Sequence, residues 1–326
     1  MHLKIDDKLV VWAPSSPAPF LFPNRFERAL AALKTRGYNI QVGESCKKNI
    51  IYDLNFAKNL VEEFHQYLLD DEIKGIIFAV GGWTTIALLP YINWNLLKEN
   101  PKPIIGYSDA TALLLAAYKE TGQKTFHGPM VISEWGEFNG PWEYSITNFE
   151  NALFTKNTSF DLLPPKEWTQ EVLWWDKEDG RRRLSNGKGE WRIFNHGKCE
   201  GILIGGNLNI ISLMLGTKYM PSFKDKILFL ETEGYSPDKF LAYLMQLQLH
   251  NVFNEIKGLI IGRHSNPISS SSGAESFDEI LNYFFGKVDI PIMLDVDLGH
   301  TEPMVTLPIG GSVVIDTESK LLKVFN

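Results

Sequence analysis

The side chains in this chain best suited to covalent chemistry are one serine at a turn, two acids at the end of an apolar run and one histidine in a late loop. Ser108 stands in Pro103-Ile104-Ile105-Gly106-Tyr107-Ser108-Asp109-Ala110-Thr111, where an apolar run stops at a glycine ahead of the helix-forming Leu113-Leu114-Leu115-Ala116-Ala117-Tyr118-Lys119. A strand-to-helix turn holds a hydroxyl above the end of a sheet, and the first backbone N–H groups of the helix are free to meet an oxyanion. The same residues also suit a helix cap, with Asp109 supporting the first turn. Local sequence leaves both readings open.

A serine hydroxyl is a poor nucleophile at neutral pH and needs a base, and the base needs a third group to hold it. His300 lies in Asp297-Leu298-Gly299-His300-Thr301-Glu302-Pro303-Met304, directly after the apolar run Pro291 to Val296, and catalytic groups collect in loops at strand ends. A single loop histidine is also an ordinary surface or capping residue. His127, in Phe126-His127-Gly128-Pro129-Met130, competes for the role, although its apolar neighbours and Gly-Pro turn favour a structural one. The third group is Glu231 or Glu233, after Ile227-Leu228-Phe229-Leu230. Side chains alternate along an extended segment, so both acids point the same way and spacing does not choose between them. Both also fit solvent-facing acids at a strand end. Gly81-Gly82 offers backbone N–H groups to an oxyanion or makes a tight turn. It lacks the Gly-Lys-Ser/Thr of a phosphate loop and the spacing of a dinucleotide fingerprint. Asn207, after Gly205-Gly206, is either a helix N-cap or a substrate contact.

The elements that would position these groups are legible as hydrophobic patterns. Strands are expected at 9–13, 39–42, 75–80 and 103–106, with helices at 24–36, 55–69 and 83–91 between them. Continuous apolar runs alternating with helices are the pattern of an open parallel sheet covered on both faces. From about Trp135 to Trp191 this alternation gives way to a stretch rich in Trp, Gly, Pro and charge, read as connection plus irregular insertion. Beyond it, strands are expected at 200–205, 226–230, 258–261 and 291–296. Helices are expected at 208–215, 238–249 and 276–285, and an antiparallel hairpin around Gly310-Gly311 closes the chain. Ser269-Ser270-Ser271-Ser272-Gly273 reads as a short loop. The boundary is expected near Pro164-Pro165. This divides the chain into an α/β domain at 1–164 carrying Ser108 and a second domain at 165–326 carrying Glu231 and His300, with the insertion at about 135–191.

Composition narrows the function classes. With 326 residues, 44% hydrophobic and 22% charged, the chain has material for two cores. Its net charge of −7, with no basic block beyond Arg181-Arg182-Arg183, argues against nucleic acid or an anionic membrane as partner. Nearby Asp176, Glu178 and Asp179 make the arginines read as a solvated mixed-charge loop. The N-terminus is too charged for a signal peptide, and no apolar run approaches the ~18–20 residues of a membrane span, so a cytoplasmic location is expected. Cys46 and Cys199 are far apart, and the seven histidines lack metal-ligand spacing, so neither a disulfide nor a metal or other cofactor is expected.

Taken together, Gly81-Gly82, Gly106-Tyr107-Ser108-Asp109-Ala110-Thr111, Gly205-Gly206-Asn207-Leu208, Leu228-Phe229-Leu230-Glu231 and Gly299-His300 with Thr306-Leu307-Pro308-Ile309-Gly310 resemble the LD-carboxypeptidase family of serine peptidases in kind and order. The resemblance spans nearly the whole chain and extends to that family's microcin C self-immunity branch. It implies an N-terminal flavodoxin-like open parallel sheet, a smaller C-terminal α/β domain of swivelling type, and a metal-free homodimer. It also implies a Ser108-Glu231-His300 triad and an oxyanion hole from the N–H groups of Gly82 and Asp109. The family's acid directly follows the apolar strand, which selects Glu231 over Glu233. Trp83-Thr84 follows the glycine pair where the family has Tyr or Asn types, so contacts made by Gly81 and Trp83 differ locally. The Trp-rich insertion is longer than in the cell-wall enzymes and resembles the immunity branch, which implies that Trp174 or Trp175 stacks on a nucleobase, since every base offers a π-face. Packing of these tryptophans onto the body is the alternative. The expected activity is amide hydrolysis through an acyl-enzyme, with an aminoacyl or peptidyl nucleotide as substrate. The alternatives are release of D-Ala from a muropeptide and a non-catalytic protein binding a small molecule between its domains.

Overall fold

The computed structural model describes residues 2–270 and 276–325, so Ser271, Ser272 and Gly273 of the expected serine loop lie outside the described residues. The apolar runs of the first half form β1 (Lys8–Trp12), β2 (Asn39–Val42), β3 (Ile73–Phe78), β4 (Ile104–Gly106) and β5 (Thr125–His127). All five are parallel, in the order β5-β4-β3-β1-β2. This is the flavodoxin-like order, in which the crevice for a ligand lies at the carboxyl ends of the strands where the order reverses. Leu9 to Trp12 and Ile76 to Phe78 are wholly buried because helices such as Pro23–Thr35 and Phe56–Leu69 cover the sheet. The expected helix at 83–91 is instead a 3₁₀ turn, Thr85–Tyr91. It contains Pro90, whose missing N–H and bulky ring disfavour a regular α-helix.

The second half builds an eight-stranded sheet from β6 (Ser159–Leu162), β7 (Arg192–Asn195), β8 (Lys198–Asn207), β9 (Lys226–Glu231), β10 (Gly258–Gly262), β11 (Ile292–Val296), β13 (Ser312–Asp316) and β14 (Leu321–Phe325). Its order is β6-β14-β13-β8-β9-β10-β11-β7, parallel from β8 to β11 and antiparallel at both flanks. The remaining strand, β12 (Leu307–Ile309), pairs antiparallel with β5 in the first sheet. Gly310-Gly311 therefore does not close a hairpin, as expected from the sequence, but carries the chain from one sheet to the other. The hairpin is β13 with β14. Each sheet thus borrows across residue 164: β6 precedes it and joins the second sheet, while β12 follows it and joins the first. The stretch read as irregular from 135 also contains a helix, Glu143–Leu153, with Ile146, Phe149 and Leu153 buried. Polar and aromatic residues between those positions mask its periodicity.

Helix Thr111–Thr121 lies between the sheets, and every residue from Thr111 to Ala117 is buried. A helix apolar all round belongs inside a core. Thr111 Oγ1 accepts the backbone N–H of Asn207 at 3.0 Å, tying the head of this helix to the end of β8. No helix among the described residues is long and apolar enough to cross a membrane.

The tryptophan-rich segment between β6 and β7 is held to the body by ion pairs and by one antiparallel backbone bridge, Thr169 with Glu302. Arg183 lies 2.7 Å from Glu137 and 3.3 Å from Glu302, both carboxylates being buried. Arg25 and Arg28 both pair with Asp179. Arg182 instead lies over the Trp142 ring at 4.3 Å, and Arg181 pairs with Glu171. The triple arginine is therefore not simply a solvated loop, because its third member closes a buried network that sequence neighbours alone do not reveal. Removing one partner of such a network leaves uncompensated buried charge. We expect Arg183→Ala to lower stability by about 3–5 kcal/mol in urea denaturation; a loss under about 1 kcal/mol would show that the network is not needed to hold the segment.

Candidate active site

Three turns at the carboxyl ends of β1, β3 and β4 make one wall of a cleft. Ser108 sits at the turn after β4 with φ of 57°, a left-handed backbone uncommon for a residue with a side chain and suited to a raised hydroxyl. Its side chain caps no helix N–H. Asp109 locks the wall: one buried carboxylate oxygen accepts the Thr85 N–H at 2.9 Å, the Thr85 hydroxyl at 2.6 Å and the Ser15 hydroxyl. The first hydrogen-bonded N–H of the turn is that of Ala110, which reaches Tyr107 C=O at 3.1 Å, so the N–H groups of Ser108 and Asp109 precede the helical ladder. Gly81 faces this point. A Cβ there would lie 3.1 Å from Ser108 Oγ and 3.5 Å from Asp109 N, filling the space in front of both groups. Gly82 has φ of +156°, and a Cβ on it would strike Ser15 Oγ at 2.4 Å.

The parallel strands of the second sheet supply the opposite wall. Glu231 ends β9 beside Asn207 at the end of β8, in direct register. Asn207 takes the N-cap role that the sequence offered and also holds Glu231. Its Oδ1 accepts the N–H groups of Asn209 and Ile210 at 3.1 and 3.3 Å, capping helix Leu208–Met214, while its Nδ2 donates to Glu231 Oε1 at 2.9 Å. His300 follows β11 in a loop whose Gly299 packs against Glu231, since a Cβ there would come within 2.8 Å of the Glu231 Cβ. His300 Nδ1 lies 2.8 Å from Glu231 Oε2, and Nε2 lies 3.1 Å from Ser108 Oγ. Glu233 is half-exposed and reaches the same Nε2 at 3.1 Å. Both acids therefore face His300, on different ring nitrogens. His127 lies beneath, buried, with Nε2 2.5 Å from Leu298 C=O and its ring edge-on to Phe229, and burial pushes it down to about 4. It is a neutral core residue.

Burial opposes charge on His300, but Glu231, Glu233 and Glu134 outweigh it and push the imidazole up to about 9. Burial likewise opposes charge on Glu231, yet the imidazole beside it holds the carboxyl below its usual range. The resting pair is thus an imidazolium and a carboxylate.

The cleft has two compartments that meet at Tyr107, Ser133, Trp175, Glu233 and His300. One, about 410 Å³, contains Ser108, Gly81, Gly82 and Asn207, with exposed Trp83 at its rim. It also contains Lys239, Tyr235, Asn209 and Ser15, which the sequence reading missed. The Ser236 cap of helix Pro237–Leu249 was legible in principle, but nothing local says that Lys239 lines the same compartment as Ser108. The other compartment, about 350 Å³, is walled by Trp174 and Trp175. Trp175 packs edge-on against Phe22 at 5.4 Å with the Arg25 guanidinium 5.0 Å from its ring, whereas Trp174 is exposed. Among the described residues no cluster of three or more His, Cys, Asp or Glu side chains is arranged to hold a metal ion.

Comparison with known proteins agrees with this architecture. The LD-carboxypeptidase N-terminal domain matches residues 9–128, and the LD-carboxypeptidase C-terminal domain matches residues 200–315. The chain belongs to the LD-carboxypeptidase family, peptidase family S66. As a member of that family it is a hydrolase acting on peptide or amide bonds. The microcin C7 self-immunity protein MccF of Escherichia coli is 30% identical over 99% of this chain and 94% of its own length. A Bacillus subtilis relative named as a probable murein peptide carboxypeptidase is 26% identical over 96% of this chain and 90% of its own. The structure of MccF in complex with glutamyl sulfamoyl guanosine superposes with a TM-score of 0.92 at 29% identity, covering 100% of this chain and 97% of that one. An MccF-like protein of Bacillus anthracis gives 0.87 at 31%, covering 100% and 98%. The two-sheet α/β fold expected from the family resemblance is therefore the fold of this S66 member.

A histidine with a folded pKa above its unfolded value of 6.5 contributes stability that is complete below about 6.5 and is lost as pH rises through about 9. We expect the stability advantage of wild type over His300→Gln, measured in urea between pH 6 and 10, to shrink by on the order of 3 kcal/mol across that window. An advantage that does not change with pH would contradict the charged resting state.

Proposed function

We propose that this S66 hydrolase is a serine amidase of the microcin C immunity type, cleaving the amide of an aminoacyl or peptidyl nucleotide. The observation that carries the reading is the unbroken line from Ser108 Oγ to His300 Nε2 and from Nδ1 to the buried Glu231. In this reading neutral His300 takes the Ser108 proton as Oγ attacks the carbonyl, and Glu231 stabilises the imidazolium that forms. The N–H groups of Gly82 and Asp109 meet the oxyanion. The imidazolium then protonates the leaving amine, and water activated by the same histidine hydrolyses the acyl-enzyme.

The nucleotide part of the reading is supported by the relatives' ligands and by the shape of the cleft. MccF has been solved with aspartyl sulfamoyl adenosine and with glutamyl sulfamoyl guanosine. An active-site variant of it replaces a serine, an asparagine and a lysine together. This chain has Ser108, Asn207 and Lys239 in one compartment. We assign Trp175 to the nucleobase, because it borders both compartments while Trp174 borders only the second.

We expect Ser108→Ala to lose on the order of 10⁴–10⁶ in turnover, as in other triads lacking the nucleophile, measured with purified protein on an aspartyl sulfamoyl nucleoside. Near wild-type hydrolysis by that variant would overturn the assignment. In parallel, wild type and Trp175→Ala are assayed on the nucleoside and on a muropeptide tetrapeptide. Turnover of the nucleoside, weakened about 10-fold or more by loss of the stacking ring, is the expected result. Turnover of the tetrapeptide alone, unchanged in Trp175→Ala, would identify a cell-wall carboxypeptidase instead.

A further inference from the structure

The second acid on His300 is not needed for a serine, histidine and acid line, yet it lies on the nitrogen that must do the chemistry. Nε2 is 3.1 Å from Glu233 Oε2 and also 3.1 Å from Ser108 Oγ. A carboxylate at that position holds a proton on Nε2, and a general base must be free of that proton. Glu233 is half-exposed and stands at the junction of the two compartments. The compartment behind it is lined by five carboxyl side chains, Glu134, Glu137, Glu171, Glu233 and Glu302, against the guanidiniums of Arg25 and Arg183. Glu137 and Glu302 pair with Arg183, Glu171 pairs with Arg181, and Glu134 holds the Tyr107 hydroxyl, which leaves half-exposed Glu233 to meet an incoming cation.

Building on the serine amidase reading, we infer that Glu233 receives a free α-ammonium of the substrate and that occupation of Glu233 releases His300 to act as base. The reach is correct. In an aminoacyl amide the α-nitrogen lies about 2.5 Å from the scissile carbonyl carbon, as bond lengths and angles require. With that carbon at about 3–3.5 Å from Ser108 Oγ, the ammonium falls within hydrogen-bond distance of a carboxylate on the Nε2 side. The proton count closes. The ammonium neutralises Glu233, the extra proton on Nε2 leaves to water, and the neutral imidazole then accepts the Ser108 proton. Within that reading the preferred class is the aminoacyl nucleotide with an unblocked amine; a peptidyl nucleotide, whose α-nitrogen is acylated, leaves Glu233 on His300 and reacts more slowly.

Other groups facing His300 stay in place through this exchange. Glu231 holds Nδ1 after β9, Tyr107 packs edge-on at 5.0 Å from the turn after β4, and His127 of β5 lies below. Glu134, from the turn Val131–Trp135, accepts the Tyr107 hydroxyl at 2.8 Å, while Glu302 on the histidine's own loop is paired with Arg183. Glu233 is the acid among these that is free to swing, being 53% exposed where Glu231 is fully buried.

The test compares aspartyl sulfamoyl adenosine with its N-acetyl form on wild type and Glu233→Gln. Wild type is expected to prefer the free amine by about 10–100-fold in kcat/KM at neutral pH, the worth of one charge-assisted hydrogen bond. Its kcat profile should have a lower acid limb with the free amine than with the acetylated probe. In Glu233→Gln the preference collapses and the two limbs coincide. NMR titration of the His300 ring in ligand-free protein should give a pKa about one unit lower in Glu233→Gln, the effect of removing a nearby opposite charge. Superimposable kcat profiles for the two probes on wild type would overturn the inference without any variant, as would an unmoved His300 titration in folded Glu233→Gln. The titration involves no turnover, so a failure of the nucleophile assignment in Ser108→Ala is read separately.

Discussion

Glu231 has no solvent exposure at all, and a carboxylate in that position must be fully compensated by its neighbours. Two groups compensate it, the Asn207 amide at 2.9 Å and His300 Nδ1 at 2.8 Å, and each carries a structural consequence. Asn207 can donate its Nδ2–H only if β8 and β9 stay in register, which also places its Oδ1 to cap the next helix. His300 can donate only if its loop runs tight against β9, which Gly299 permits. The loop is fixed from behind as well: Asp297 is buried between Arg263 and the Trp191 ring N–H, and Ser265 Oγ donates to the His300 carbonyl at 2.9 Å. The imidazole is therefore oriented by the satisfaction of a buried charge before any substrate arrives.

The serine is oriented by an independent set of constraints. Asp109 gathers the ends of β1, β3 and β4, and the left-handed backbone at Ser108 is maintained by the helix behind it, which is buried from Thr111 to Ala117. Strain at such a turn persists where surrounding structure over-determines it. The two halves of the site thus belong to different sheets. Their contact through Thr111 and Asn207, and the passage of β12 back onto the first sheet, keep the halves in one spatial relation. This arrangement lets a 3.1 Å contact form between residues 192 positions apart in the chain.

Much of this was legible before any coordinates. The strands at 8–12, 39–42, 73–78 and 104–106, and the helices that cover them, follow from hydrophobic periodicity, because both faces of a parallel strand must be apolar. The element boundaries in the second half were also close. Three features were not legible, each for a physical reason. Helix Glu143–Leu153 is short and surrounded by aromatics, so its period is diluted. β12 looks like half of a hairpin because a glycine pair follows it, yet its partner was decided by the free edge of β5. Arg183 looks solvated beside its acidic sequence neighbours, but Glu137 and Glu302, distant in sequence, bury it.

The site divides in the same way. Sequence alone determined which residue types stand at strand ends: a serine after Gly106, an acid after Leu230, a histidine after Gly299 and a glycine pair after β3. These depend only on local pattern, since a strand end is where an apolar run stops. Local spacing left Glu231 and Glu233 equivalent, because alternation sends both to one face, and only the family resemblance favoured Glu231. Tertiary structure separated them by burial: Glu231 is sealed on Nδ1, while Glu233 stays half in solvent on Nε2. It likewise brought Lys239 and Trp175 to the cleft. Which nitrogen a carboxylate meets, and whether water reaches it, depends on how two sheets face each other, and no local run of residues encodes that relation.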